Sequence, residues 1–161
     1  MGPILLLGAG NILLQDEGLG VHALRRLLER YILPSEVLAV DGGVQGMDLL
    51  PLLEEAQALL IVDAVAAGAE PGALVRLEGR QIPSALALKI SMHQMGLQEL
   101  LALGTLRGTL PTRVVLWGME PASMDWGLAL SEPVAYALDG LVESVAEELR
   151  AWGAQPQPIY P

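Results

Sequence analysis

Ile4-Leu5-Leu6-Leu7-Gly8-Ala9-Gly10-Asn11 sets four consecutive large apolar residues before a glycine pair and a polar residue. A run this short and this uniformly apolar reads as a strand buried on both faces that enters a loop at Gly8. From Gly18 onward Val21, Leu24, Leu28 and Tyr31 recur at helical spacing, and Pro34 stops the pattern. His22, Arg25, Arg26 and Glu29 take the other face, which places His22 in solvent. A strand, a glycine loop and an amphipathic helix in this order open an α/β fold.

The alternation continues outward from that unit. Residues 36–40 predict a second strand ending at Asp41-Gly42-Gly43, and residues 47–55 a helix. Residues 58–62 form the most apolar strand, with Asp63 at its C-terminal end. Residues 73–77 predict a fourth strand, joined to the third through Gly68-Ala69-Glu70-Pro71-Gly72 as a direct antiparallel pair. Residues 83–91 have no clear pattern, 96–103 read as a helix and 113–117 as a fifth strand, and 118–130 are loop. Ser131 is placed to cap a last helix, with Pro133 in its first turn and Val134, Leu138, Leu141, Val142, Val145 and Leu149 as its apolar stripe. Residues 153–161, with Pro156, Pro158 and Pro161, predict a loosely held or extended tail. The sum is one domain over 1–152, a three-layer α/β/α sandwich around a five-stranded, mostly parallel but mixed twisted sheet. In such sheets ligands bind beyond the strand C-termini.

Composition narrows the function. A chain of 161 residues with 52% hydrophobic and 17% charged residues has the makings of one real core. Nine Lys plus Arg against nineteen Asp plus Glu give a net charge of −10, which argues against nucleic acid or an anionic membrane as partner. Its apolar stretches are too short for a membrane span and lack the flanks of a signal peptide, so the expected setting is the cytoplasm and the expected state a monomer. The absence of Cys removes thiolate metal sites and a cysteine nucleophile, and leaves His22 and His93 as the imidazoles.

Gly8-Ala9-Gly10 after a strand, with Asp41 ending the next, invites a dinucleotide reading. The register fails: Leu13 stands where the third glycine belongs, and Asp16 and Glu17 before the helix would repel a pyrophosphate. The same geometry gathers acid instead. Asp16 and Glu17 follow the first strand, Asp41 ends the second, Asp63 ends the third, and His93 precedes the helix after the fourth. Two carboxylates about 4 Å apart repel by ~4 kcal/mol at an effective dielectric near 20, so such a cluster shares protons or holds a cation. Two carboxylates and an imidazole suit nickel, zinc, iron or manganese better than calcium or magnesium. Asp16 or Glu17 can equally serve the positive end of a helix. A serine elbow and a His-Glu-x-x-His helix are both missing.

Gly8-Ala9-Gly10-Asn11-Ile12-Leu13-Leu14-Gln15-Asp16-Glu17-Gly18-Leu19-Gly20-Val21, Asp41-Gly42-Gly43, Val62-Asp63-Ala64 and Ser91-Met92-His93-Gln94 together resemble the hydrogenase maturation proteases. Gly118-Met119-Glu120-Pro121 and Leu130-Ser131 extend the resemblance over nearly the whole chain. These endopeptidases remove a C-terminal extension from the large subunit of nickel-iron hydrogenases. The resemblance implies that Glu17, Asp63 and His93 bind metal, that this metal is nickel already installed in the precursor, and that another divalent cation can substitute in the free protein. It implies a catalytic group of Asp41, Asp63 and Glu17, of aspartic or metal-assisted type, in which Asp41 either activates water or positions the scissile strand. One departure is Met92, where the family often carries proline.

The alternative is a non-hydrolytic, nickel-checking chaperone of the immature large subunit, built on the same residues. Trp126, Leu128 and Leu130 serve either reading, as an apolar docking patch or as side chains tucked into the core.

Overall fold

A computed structural model describes residues 2–43, 46–82 and 97–160. The chain runs β1 (Ile4–Ala9), a 3-10 turn (Gln15–Gly18), α1 (Leu19–Arg30), β2 (Tyr31–Ile32), β3 (Val37–Gly43), a second 3-10 turn (Gly46–Leu49) and α2 (Leu50–Glu55). It continues through β4 (Ala58–Ala64), β5 (Leu74–Glu78), α3 (Leu97–Arg107), β6 (Arg113–Met119), α4 (Glu132–Ala151) and β7 (Gln157–Pro158).

The main sheet has five strands in the order β3-β1-β4-β6-β5. β1 pairs in parallel with β3 and β4, and β4 with β6, while β5 runs antiparallel to β6 at the edge. Strand direction and burial agree: β1 and β4 are buried along their whole length, as central parallel strands are. The even residues Ile4 and Leu6 of β1 and Leu60 and Val62 of β4 face one layer, with Leu24 and Leu27 of α1 and Leu141 and Val145 of α4. The odd residues Leu5, Leu7, Leu59 and Ile61 face the other, with Leu50 and Leu53 of α2 and Leu100 of α3. This period of two splits the core into two halves and produces the three-layer α/β/α sandwich expected from the sequence.

The expected direct pairing of the third and fourth strands is wrong. β6 lies between β4 and β5, pairing parallel to one and antiparallel to the other. β4 is apolar on both faces and takes a parallel neighbour on each side. β5 alternates half-buried Val75 and Leu77 with exposed Arg76 and Glu78, a pattern suited to an edge. The turn chemistry at residues 68–72 is real, but it serves a wider excursion held by Glu120, whose Oε1 accepts from the Ala67 and Ala69 amides at 2.8 Å each.

Two smaller readings also change. Of the expected stripe of α1, Val21, Leu24 and Tyr31 are buried and Leu28 is exposed; Leu19, Gly20, Ala23 and Leu27 complete the buried face. The tail is extended, as expected, but pinned: β7 pairs with β2, Ile159 donates to the Arg30 carbonyl at 2.9 Å, and Ala154 is buried.

Candidate active site

The strand order reverses between β1 and β4, because the chain leaves β1 for β3 on one side and returns to β4 on the other. The carboxyl ends of these two strands therefore flank the crevice where open α/β sheets bind ligands. β1 delivers Gly8-Ala9-Gly10 to that crevice and β4 delivers Asp63. The Asp63 carboxylate is buried, and its Oδ1 accepts from the Ala64 amide at 2.9 Å.

Glycines let the next element close down on this edge. A Cβ on Gly20, in the first turn of α1, would lie 2.0 Å from the Val62 carbonyl oxygen and 2.4 Å from that of Ala9. The helix start thus rests on the backbones of both central strands. Gly10 has φ +113, and a Cβ there would stand 1.7 Å from the Glu17 carbonyl oxygen and 3.5 Å from Asp63 Oδ1. Only glycine gives that backbone room and conformation together. Glu17, half-buried, is in this way carried in over Gly10 to the edge where Asp63 stands.

Asp41 lies on the other side of β1. Gly8 pairs with Asp41 and Ala9 with Gly43, so Gly42 is an extra residue that bulges the strand end. Gly8 pairs with Val62 on the opposite side, and two strand spacings put Asp41 roughly 10 Å from β4 across the crevice. Asp41 is exposed and meets Arg25 Nη2 at 3.9 Å, with both side chains more than half exposed, a weak and screened pairing. Asp41 is exposed at the rim, whereas Asp63 is buried.

Asp16 and Glu17 are adjacent in sequence and opposite in use. Asp16 is fully buried and turns toward the loop after β6. Its Oδ1 accepts from the Ser131 amide at 2.8 Å; its Oδ2 accepts from the Ala122 and Ser123 amides at 2.9 and 3.0 Å and from Ser131 Oγ at 2.7 Å. Burial pushes its pKa up, and the bonds from the Ser131 hydroxyl and the three amides outweigh that, holding it below the ordinary 3.8. Ser131 is the N-cap residue of α4 as expected, yet its hydroxyl caps nothing in the helix and is spent on Asp16.

His93 lies outside the described residues. Among the described residues no three acids or histidines form a metal-binding group. His22 is not in solvent. α4 packs along the polar face of α1, and an open groove of about 420 Å³ between them is lined by His22, Arg25, Arg26, Glu29, Leu138 and Asp139. His22 Nε2 is buried there without a hydrogen-bond partner. Burial, aided by Arg25, lowers its pKa below 6.5 against the opposing Leu128 carbonyl and Asp16. Arg26 in the same groove is engaged by Asp139 at 3.0 Å and Glu29 at 3.1 Å. Of the three loop residues with two possible uses, Trp126 and Leu128 are exposed and Leu130 packs against the core.

The sequence reading missed Glu120 as a working residue. Besides holding residues 67–69 through its side chain, it exchanges backbone bonds with Gly72 and Ala73 at 2.8 and 3.1 Å. Its position just after a buried strand end was the available signal, the same one that singled out Asp63.

A family model described as hydrogenase maturation protease matches residues 21–148. The chain is 43% identical over 154 residues to the hydrogenase expression/formation protein HupD of Rhodobacter capsulatus, covering 94% of this chain and 73% of that protein. It is 36% identical over 156 residues to the hydrogenase 2 maturation protease of Escherichia coli K12, covering 96% and 95%. The solved structure of the hydrogenase maturating endopeptidase HybD from E. coli aligns with a TM-score of 0.89 at 36% identity over 98% of each chain. The family model, these relatives and the shared fold show that the chain belongs to the hydrogenase maturation protease family.

Proposed function

We propose that this chain is the endopeptidase that removes the C-terminal extension of a nickel-iron hydrogenase large-subunit precursor after nickel insertion, and that nickel in the precursor is its recognition element. The observation that carries the reading is the closure of the Glu17 turn over Gly10 beside the buried Asp63 carboxylate, at the crevice between β1 and β4. Glu17, Asp63 and His93 form a mixed oxygen and nitrogen donor set, which fits a borderline divalent ion such as nickel. In this reading the precursor brings the ion as part of the substrate, and the three side chains dock it.

Docking places the extended C-terminal segment across the crevice, toward Asp41 on the far side of β1. Asp41 stands at the exposed end of β3, two strand positions or roughly 10 Å of backbone spacing from β4. Asp41 there takes a proton from the attacking water or holds the scissile strand in line, and proximity to the docked segment supplies much of the rate. The exposed pairing with Arg25 breaks at little cost when substrate arrives.

Cleavage of a nickel-loaded precursor by wild-type, Glu17→Gln, Asp63→Asn and His93→Ala chains tests the reading. Each substitution is expected to abolish processing while leaving the chain folded. Undiminished cleavage by any one variant removes that residue from the docking set, and binding by the wild type without any cut points to the chaperone alternative.

A further inference from the structure

The buried Asp16 carboxylate accepts four hydrogen bonds, and the proposed reaction gives it no part. The Gln15–Gly18 turn that carries Glu17 is a four-residue 3-10 turn, too short to hold its own position. Gln15 adopts φ +48, a conformation that a non-glycine residue keeps only when its surroundings enforce it. Those surroundings are the loop between β6 and α4. The Gln15 amide donates to the Gly127 carbonyl at 2.9 Å, the Gly127 amide to the Leu13 carbonyl at 2.9 Å, and the Asp16 amide to the Ser123 carbonyl at 3.1 Å.

The Asp16 carboxylate completes the clamp with bonds from Ala122, Ser123 and Ser131, residues 106 to 115 positions away in sequence. Ser131 starts a 20-residue helix packed on the sheet, so the clamp refers the turn to a rigid element. The other side of the turn has no slack either, because the Glu17 carbonyl already occupies the space where a Gly10 Cβ would be.

We propose that Asp16 is the positioning residue that sets Glu17 against Asp63, so that the loop after β6 and the N-terminus of α4 determine the geometry of the metal-docking edge. The inference rests on the reading of Glu17 as a docking ligand. Asp16 itself touches neither ion nor substrate; it acts through the backbone of its neighbour.

Asp16→Asn is the incisive variant. It keeps the volume, but its amide nitrogen must replace one acceptor oxygen and face an N–H or O–H donor from residues 122–131. Glu148→Gln is the matched control. It breaks a buried carboxylate network of similar density at the other end of α4, where Glu148 accepts from Arg76 Nε at 2.7 Å and Trp117 Nε1 at 2.8 Å. The experiment titrates the full chain with Ni²⁺ alone by calorimetry, at a temperature where all variants are folded. In parallel it measures hydrogen exchange at the Gln15 and Glu17 amides.

Asp16→Asn is expected to weaken Ni²⁺ binding about 10- to 100-fold, the usual effect of removing support from a metal ligand. Exchange at those two amides is expected to speed up without a matching change in β1 or β4. Glu148→Gln is expected to stay within about twofold of wild type in Ni²⁺ affinity, and Ser131→Ala, which removes one of the four bonds, to fall between the two. Unchanged exchange or unchanged Ni²⁺ affinity in Asp16→Asn overturns the inference, as does an equal loss in Glu148→Gln, which would make Asp16 a strut of the fold only. A wild-type chain that takes up no Ni²⁺, together with normal precursor cleavage by Glu17→Gln, overturns the docking assignment itself and is distinguishable from failure of Asp16 alone.

Discussion

Gly10→Ala is the perturbation that the packing at the crevice makes most specific. The new Cβ would sit 1.7 Å from the Glu17 carbonyl oxygen and 2.9 Å from its carbonyl carbon. Side-chain carbons do not approach closer than about 3 Å to such atoms, so the turn must retreat by roughly 1.3 Å or β1 must yield. The backbone at φ +113 adds conformational strain of about 1–3 kcal/mol for alanine, and overpacking typically adds about 1–3 kcal/mol. The sum is a loss of about 2–6 kcal/mol. At roughly 2–4 °C per kcal/mol for a chain of this size, Tm falls by roughly 5–20 °C.

Gly153→Ala isolates the conformational part, since Gly153 has φ +87 with nothing within 4 Å of its missing Cβ. It is expected to cost about 1 kcal/mol and to leave cleavage unchanged. Gly10→Ala, assayed on a nickel-loaded precursor below its own Tm, is expected to lose about 100-fold in kcat/KM, because a shift of about 1 Å at a reacting geometry has that order of effect. Cleavage by Gly10→Ala within about threefold of wild type, or an equal loss in Gly153→Ala, would refute the claim that this close approach sets the site.

Asp41→Asn is expected to slow cleavage while leaving precursor binding largely intact, read as a fall in kcat with KM nearly constant; lost binding with normal turnover would contradict its place at the scissile strand. Glu148→Gln removes the carboxylate that Arg76 grips through Nε at 2.7 Å and Nη2 at 3.1 Å, and is expected to cost about 2 kcal/mol, seen as a lower urea midpoint. His22 has a folded-state pKa below 6.5 because it is buried, so the unfolded chain binds its proton first. Its contribution to stability is therefore present above pH 6.5 and lost as the pH falls through the lowered folded value, and the urea midpoint of His22→Gln should decline less over that window. Asp16 and Glu148, held below 3.8 and 4.5, lose their contributions only at lower pH, as it falls from those values through the depressed folded ones.

Local pattern made much of this fold legible. β1 and β4 announced themselves by unbroken apolarity, α4 by its stripe from Val134 to Leu149, and Asp63 by ending a buried strand. What stayed hidden was decided at long range. Nothing near residues 58–78 says that β6 inserts between β4 and β5, because a connection of nine residues fits a direct pairing and an excursion alike. Asp16 and Glu17 are interchangeable in local pattern, and their division of labour is fixed by Ser131, 115 positions from Asp16. The polar face of α1 looked solvated until α4 covered His22. Asp41 is legible as a residue near a strand end, but the extra residue beside it at Gly42 is encoded by no local periodicity.

In the proposed function, the crevice between β1 and β4 reads nickel before a peptide bond is cut. The most direct test of that reading is cleavage of the cognate large-subunit precursor, nickel-loaded beside nickel-free, with the mass of the released peptide. A single C-terminal peptide is expected from the nickel-loaded precursor and none from the other. Equal cutting of both would contradict nickel as the recognition element.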